Sequence, residues 1–285
     1  MFRARNAPSP TPDPGKTAPF MSDSVDGLTV AISAMTDRRA GLVLPPPCPG
    51  LRYLLLVQEA RGPADAGFAP ELLVRDDLRI VPLPGRGLSN SRNAALELAE
   101  DPYLAFSDDD LVLEPRGLLL LRDVLRGDDR LDLVAGWRRE TLPPRGHRRH
   151  VLHRLSLYNS GRVCAPEFMV RRAAVRRRGV RFDPGFGVGA PLPTGEDYIF
   201  VTDLLKAGAR GLSLPVVAGS HPHPSTGDDW RDPELMQARR AVLLRVFGWR
   251  ATAILPLYAW RHRHRFASPR AALAFVFGRP VPAAA

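Results

Sequence analysis

An unbroken apolar run at residues 53–57, Tyr-Leu-Leu-Leu-Val, restricts the fold more than any other stretch. A strand with one wet face alternates apolar and polar side chains. A continuous run therefore reads as a strand buried on both faces, as in parallel sheets covered by helices. Residues 28–34, 79–83, 103–106 and 131–135 predict further short strands, and 211–217 a last one. Residues 88–100 follow Gly85-Arg86-Gly87 and set Ser91, Ala95 and Leu98 at i, i+4 and i+7, one face of a helix. Residues 116–126 and 171–178 predict shorter helices, and 196–207 a helix closed by Gly208. Strands alternating with helices define an open α/β sheet whose ligands lie at the carboxyl ends of its strands.

With 285 residues, 45% of them hydrophobic, the chain can bury a core without metal or disulfide staples. Forty Lys and Arg against 30 Asp and Glu give a formal charge of +10, and only Lys16 and Lys206 are lysines. Such a balance favours an anionic partner: a phosphorylated ligand, an acidic membrane surface or nucleic acid. Cys48 and Cys164 lack the spacing of a zinc module or a secreted disulfide framework, which points to a reducing compartment. Residues 1–24, with Pro8, Pro10, Pro12 and Pro14, predict a disordered leader, within which Met21 is an alternative start to Met1. No stretch reads as a membrane-spanning helix; residues 251–260 come nearest and contain Pro256.

Chemistry concentrates in a few short motifs. The strand at 103–106 runs into Ser107-Asp108-Asp109-Asp110. Adjacent like charges repel unless a cation or a proton relieves them. Along extended backbone Asp108 and Asp110 point the same way, an arrangement that suits oxygen ligation of a divalent ion; the plainer reading is a solvated turn. Gly87-Leu88-Ser89-Asn90-Ser91-Arg92-Asn93 precedes that triplet. Phe182-Asp183-Pro184-Gly185-Phe186-Gly187-Val188-Gly189 follows it, and then Gly195-Glu196-Asp197 at a helix start. His221-Pro222 and Ser225-Thr226-Gly227 come last.

In order and spacing this set resembles the bacterial family-two glycosyltransferases over residues 27–228. The resemblance implies a GT-A fold, a Rossmann-like α/β and mainly parallel sheet with helices on both faces. Its boundaries would be a leader at 1–24, the glycosyltransferase domain at 25–228 and a helical, basic and aromatic C-terminal extension at 229–285. It further implies an inverting, metal-dependent transfer from a UDP- or GDP-sugar to a glycan or lipid-linked acceptor, in cell-surface polysaccharide synthesis. By that likeness Asp197 is the catalytic base, with Glu196 beside it. Gln58, Arg92, Asn93, Asp108 and Asp109 line the nucleotide, and Asp108, Asp110 and His221 hold Mn²⁺ or Mg²⁺. His223 competes with His221 for that role.

Two departures leave the donor open: Gln58-Glu59 stand where many members carry Asp-Asp or Asp-Asn, and Met35-Thr36-Asp37-Arg38 where an Asn-Arg pair is common. A nucleotidyltransferase is the rival enzyme class, disfavoured because residues 35–39 hold no glycine. A non-catalytic basic module is the third reading. Its aromatic residues, Trp249, Tyr258, Trp260 and Phe266, suit a membrane interface better than base stacking, so no nucleic acid is expected. The expected location is cytoplasmic, with peripheral attachment to the inner membrane face.

Overall fold

The computed structural model describes residues 26–60, 67–144, 151–222 and 229–278. The expected leader at 1–24, His223 and the Ser225-Thr226-Gly227 segment lie outside them. The strands are β1 Leu28–Met35, β2 Leu51–Gln58, β3 Leu78–Pro82, β4 Tyr103–Asp108, β5 Val112–Leu113, β6 Leu133–Arg138, β7 His153–Arg154, β8 Phe168–Arg171 and β9 Gly211–Ser220. The helices are α1 Pro70–Leu73, α2 Leu88–Leu98, α3 Pro115–Gly127, α4 Arg172–Arg178, α5 Glu196–Lys206, α6 Pro233–Phe247, α7 Ala251–Arg261 and α8 Pro269–Phe277.

They build one sheet in the order β3-β2-β1-β4-β8-β6-β9-β5, with β7 paired to β9. The longer strands run parallel, and the short β5, β7 and β8 run against them. The sheet is mixed α/β and mainly parallel, as the apolar runs predict. From β1 the chain steps outward to β2 and β3, then returns to lay β4 on the other side of β1. The strand order thus reverses between β1 and β4, and such reversals open a crevice at the strand ends. Asp108 ends β4 there, in register with Ser33 of β1.

Pleating sends alternate side chains to opposite faces and so divides the core in two. Val30, Ile32, Tyr53, Leu55 and Val57 pack with Leu118, Leu121 and Leu125 of α3 on one face. Ala31, Leu54, Leu56 and Phe106 meet Ala95 and Leu96 of α2 and Phe200, Val201 and Leu204 of α5 on the other. Both faces of β2 are therefore dry, which is why its sequence does not alternate.

The C-terminal helices form a third cluster, packed on the α/β body through Phe186 and Ile199. Asp232 caps α6 by accepting from the N–H groups of Glu234 and Leu235. From α6 through a 3-10 turn to α7, residues Pro233–Arg261 are long and apolar enough by composition to cross a membrane, with 28% of the most apolar stretch buried. This corrects the sequence reading, which weighed the α7 segment alone; the helical run begins well before it.

The contact between α6 and α5 is close. Gly195, at the N-cap of α5, has φ +94°, and a Cβ there would lie 2.2 Å from Val242 Cγ2. Both the left-handed backbone and the absent side chain are needed. Gly195→Ala is expected to destabilise the protein by about 1–3 kcal/mol, read as a lower urea midpoint with unchanged m-value; a midpoint equal to wild type would refute this packing.

Candidate active site

The site forms where α2 and α5 begin beneath the end of β4. Ser33 on β1 and Ser91 on α2 share a hydroxyl hydrogen bond of 2.7 Å. Gln58 Oε1, at the end of β2, accepts from Gly87 N at 2.7 Å. These contacts tie the glycine turn and the first turn of α2 to the strand ends. The glycine-rich loop closes the far side: Leu88 N donates to Val188 O at 2.9 Å, and Ser89 Oγ to Phe186 O at 2.7 Å. Asn93 clasps the backbone of Phe182 twice, Nδ2 donating to its O and Oδ1 accepting from its N, each at 2.9 Å. Gln58 and Asn93, expected at the nucleotide, thus have partners within the protein.

Arg92 is the centre of the arrangement. It is 1% exposed, and its guanidinium faces three carboxylates drawn from two distant segments. Nη2 donates to Asp108 Oδ1 at 3.0 Å, and Nη1 to Glu196 Oε1 at 3.0 Å and to Asp197 Oδ1. The sequence reading set Arg92 at the nucleotide; the structure turns it inward, because three buried or half-buried carboxylates require a cation. Burial alone would lower its pKa, but Asp197, Asp108 and Glu196 together outweigh that and raise it. Arg92 is a permanent cation here.

One guanidinium does not neutralise three carboxylates, and burial together with the surplus charge raises the proton affinity of Glu196 and Asp197. Burial first, and then the charge of Asp197, push Glu196 up to about 7. Burial also raises Asp197, against the pull of Arg92 and the backbone N–H of Ala165, which donates to Asp197 Oδ2 at 3.0 Å. The pair therefore exchanges a proton near neutrality. Asp197 shares the inward face of α5 with Val201 and Leu204, all buried, as its spacing predicts.

The other two aspartates diverge. Asp109 turns back under β1, where its Oδ2 accepts from Met35 N at 3.2 Å and its Oδ1 from Arg38 Nη1 at 3.3 Å. Its side chain is 7% exposed, against 41% for Asp110. Burial raises the pKa of Asp109, with Met35 N and Arg38 opposing. Asp110 Oδ1 lies 3.6 Å from His221 Nε2. Asp110 and His221, expected together on a metal, do approach each other, whereas Asp108 is drawn toward Arg92. Among the described residues no group of three or more His, Cys, Asp or Glu converges as a cation site.

Sequence reasoning missed three contributors. Glu140 accepts from Ser220 Oγ and from His221 N, the latter at 3.2 Å, and so fixes the His221 backbone. Arg38 bridges Asp109 and Asp110. Ala165 acts through a backbone N–H, which no side-chain motif betrays.

Comparison with known proteins bears on the fold. The Glycosyl transferase family 2 profile matches residues 69–183. Among solved structures, TarS 1–349 of S. aureus superposes with a TM-score of 0.56 at 13% identity, covering 84% of this chain and 72% of that one. The same protein in complex with UDP-GlcNAc gives 0.55 at 14%, covering 90% and 82%. The mannosyltransferase PcManGT from Pyrobaculum calidifontis, in complex with GDP-Man and Mn²⁺, gives 0.54 at 18%, covering 92% and 77%. No curated protein sequence matches the chain. The fold is that of these solved structures, the GT-A type, and residues 69–183 are similar to the Glycosyl transferase family 2.

Removing Arg92 would strand its carboxylates. Arg92→Ala is expected to cost about 3–5 kcal/mol, the usual consequence of breaking one side of a buried ionic cluster. Without the cation the folded state holds its protons more tightly, so the variant loses stability as pH rises. Denaturation midpoints at about pH 5.5 and about pH 8 check this sign; an unchanged midpoint at both would contradict it.

Proposed function

We propose that this protein moves a glycosyl group from a nucleoside-diphosphate sugar to a hydroxyl of a glycan or lipid-linked acceptor, with inversion and with Asp197 as the base. The observation that carries the reading is the buried Glu196–Asp197 pair held on Arg92 beside the carboxyl end of β4. Asp197 accepts the acceptor's O–H proton, the freed oxygen pair forms the new bond at the anomeric carbon, and the bond from that carbon to the diphosphate breaks with its electrons on the phosphate. One displacement by one base inverts the centre.

Arg92 holds Asp197 in place and favours its ionised form, and Ala165 N–H fixes its second oxygen. Glu196 beside it shares the surplus proton. The sugar donor would lie at the β1/β4 crevice, beside the glycine turn that Gln58 holds and the loop after β1 that Asp109 holds. Arg92 acts there through Asp108, the aspartate it orients.

The donor set fits a divalent cation: the exposed carboxylate of Asp110 and the imidazole of His221 face each other, a pairing of hard oxygen and nitrogen that suits Mn²⁺ or Mg²⁺. Asp108 is engaged by Arg92, so Asp110 and His221 are the residues that would hold the ion. When bound, the ion supplies Lewis-acid charge to the departing diphosphate. Support for a metal and for a nucleotide sugar comes from the similar structures: PcManGT holds GDP-Man and Mn²⁺, and TarS holds UDP-GlcNAc. A growing cell-surface polysaccharide or glycolipid is the acceptor class proposed.

Calorimetry with UDP, GDP and their sugars is expected to show binding that strengthens with Mn²⁺ and that Asp110→Ala weakens. Binding indifferent to both metal and this substitution would count against the cation. Asp197→Asn should keep donor affinity while lowering turnover by roughly 10²–10⁴; wild-type turnover would move the role elsewhere, to Glu196 first.

A further inference from the structure

The outer side of the C-terminal helices presents an apolar stripe that nothing among the described residues covers. In α7, Ala251, Leu255 and Ala259 face inward at i, i+4 and i+8. The opposite side shows Trp249, Ala253, Pro256, Leu257 and Trp260, all exposed, at the spacing of a single helical face. The two indoles are 80% and 66% exposed and Leu257 58%, values far above those of a side chain packed in a core. The neighbouring α8 adds exposed Leu273 and Phe277 one turn apart.

The charge around this stripe is of one sign. From Leu235 to the end the sequence holds nine arginines and no aspartate or glutamate, nearly the whole of the chain's formal +10. Among the described residues, Arg250, Arg261 and Arg270 form no ion pair, and the guanidinium groups of Arg250 and Arg263 lie over the Trp249 and Trp260 rings, each at 5.4 Å. Arginines interleaved with indoles at the rim of an apolar face match the headgroup region of a bilayer, where the ring enters the acyl boundary and the cation meets phosphate. A second copy of the chain offering the same face would bring arginine against arginine.

We propose that the α7–α8 face docks peripherally on an anionic lipid bilayer. It does so without spanning: α6, the first half of the long helical run, buries Leu235, Met236, Val242, Leu243 and Val246 within the protein and is not free to face lipid. Because α6 also packs on Gly195 at the start of α5, a docked α7 would hold the candidate active site at a fixed orientation to the membrane. The inference rests on the surface alone and stands or falls separately from the transfer reaction.

Co-sedimentation of the full chain with vesicles of phosphatidylglycerol and phosphatidylcholine, or of phosphatidylcholine alone, tests it at low and high salt. Strong pelleting is expected with the anionic vesicles at low salt only, since each basic residue near such a surface contributes about fivefold in partitioning. Trp249→Ser with Trp260→Ser should reduce it by about tenfold, while thermal unfolding stays at the wild-type midpoint because both side chains are exposed. Equal, negligible pelleting under all conditions would overturn the proposal, as would pelleting that the double variant leaves unchanged. Sedimentation velocity without vesicles supplies a further arm: a wild-type dimer that the double variant abolishes, with no vesicle binding, would give the face to a second copy.

Discussion

A single buried guanidinium holds together what the chain places far apart. Arg92 in the second turn of α2 meets Asp108 at the end of β4 and Glu196 and Asp197 at the start of α5, more than a hundred residues downstream. Carboxylates gathered out of water repel one another and lose hydration, so they share a site only where a cation offsets both costs. Arginine suits this place because its planar fork reaches several oxygens and does not lose its charge on burial. The surrounding bonds, Ser33 with Ser91, Gln58 with Gly87 and Asn93 with Phe182, keep α2 at the depth where the fork reaches all three.

The balance at this cluster connects packing to chemistry. Three acids on one base leave an excess of negative charge, which the protein accommodates by raising the proton affinity of Glu196 and, in opposition to Arg92, of Asp197. A carboxyl pair with one loosely held proton near neutrality is the condition a general base requires. The excess also favours a cation at the more exposed Asp110. The turn after β4 thereby divides its three aspartates among three tasks: Asp108 on Arg92, Asp109 pinning the loop after β1, and Asp110 opening toward His221.

How much of this the sequence discloses depends on whether a contact is local. The strands at 28–34, 53–57 and 103–106 were legible because burial on both faces leaves an apolar run that needs no partner to be read; 79–83, half-buried at the sheet edge, was legible as a short apolar run between turns. The inward face of Asp197 was legible too, since helical period alone sets it with Val201 and Leu204. β8 was not: Phe168–Arg171 is four residues long, follows Cys164-Ala165-Pro166, and is a strand only because β4 and β6 flank it. The inward turn of Arg92 was equally hidden. Position near the start of a helix suits a phosphate contact as well as an ion pair, and only the arrival of Glu196 and Asp197 from across the chain decides between them. Glu140 and the Ala165 N–H belong to the same class of long-range contact without local signal.

The pH dependence of transfer tests most directly whether the Arg92-held pair is the reactive centre. With the base required in ionised form, kcat should climb as pH rises out of the acid range and level off above it, the limb belonging to the coupled pair, in which burial raises both carboxyls. Glu196→Gln removes the neighbouring charge, so the acid limb should move down by roughly one unit while the plateau stays within reach of wild type. A limb that Glu196→Gln leaves in place, or a profile flat from acid to alkaline pH, would contradict the account.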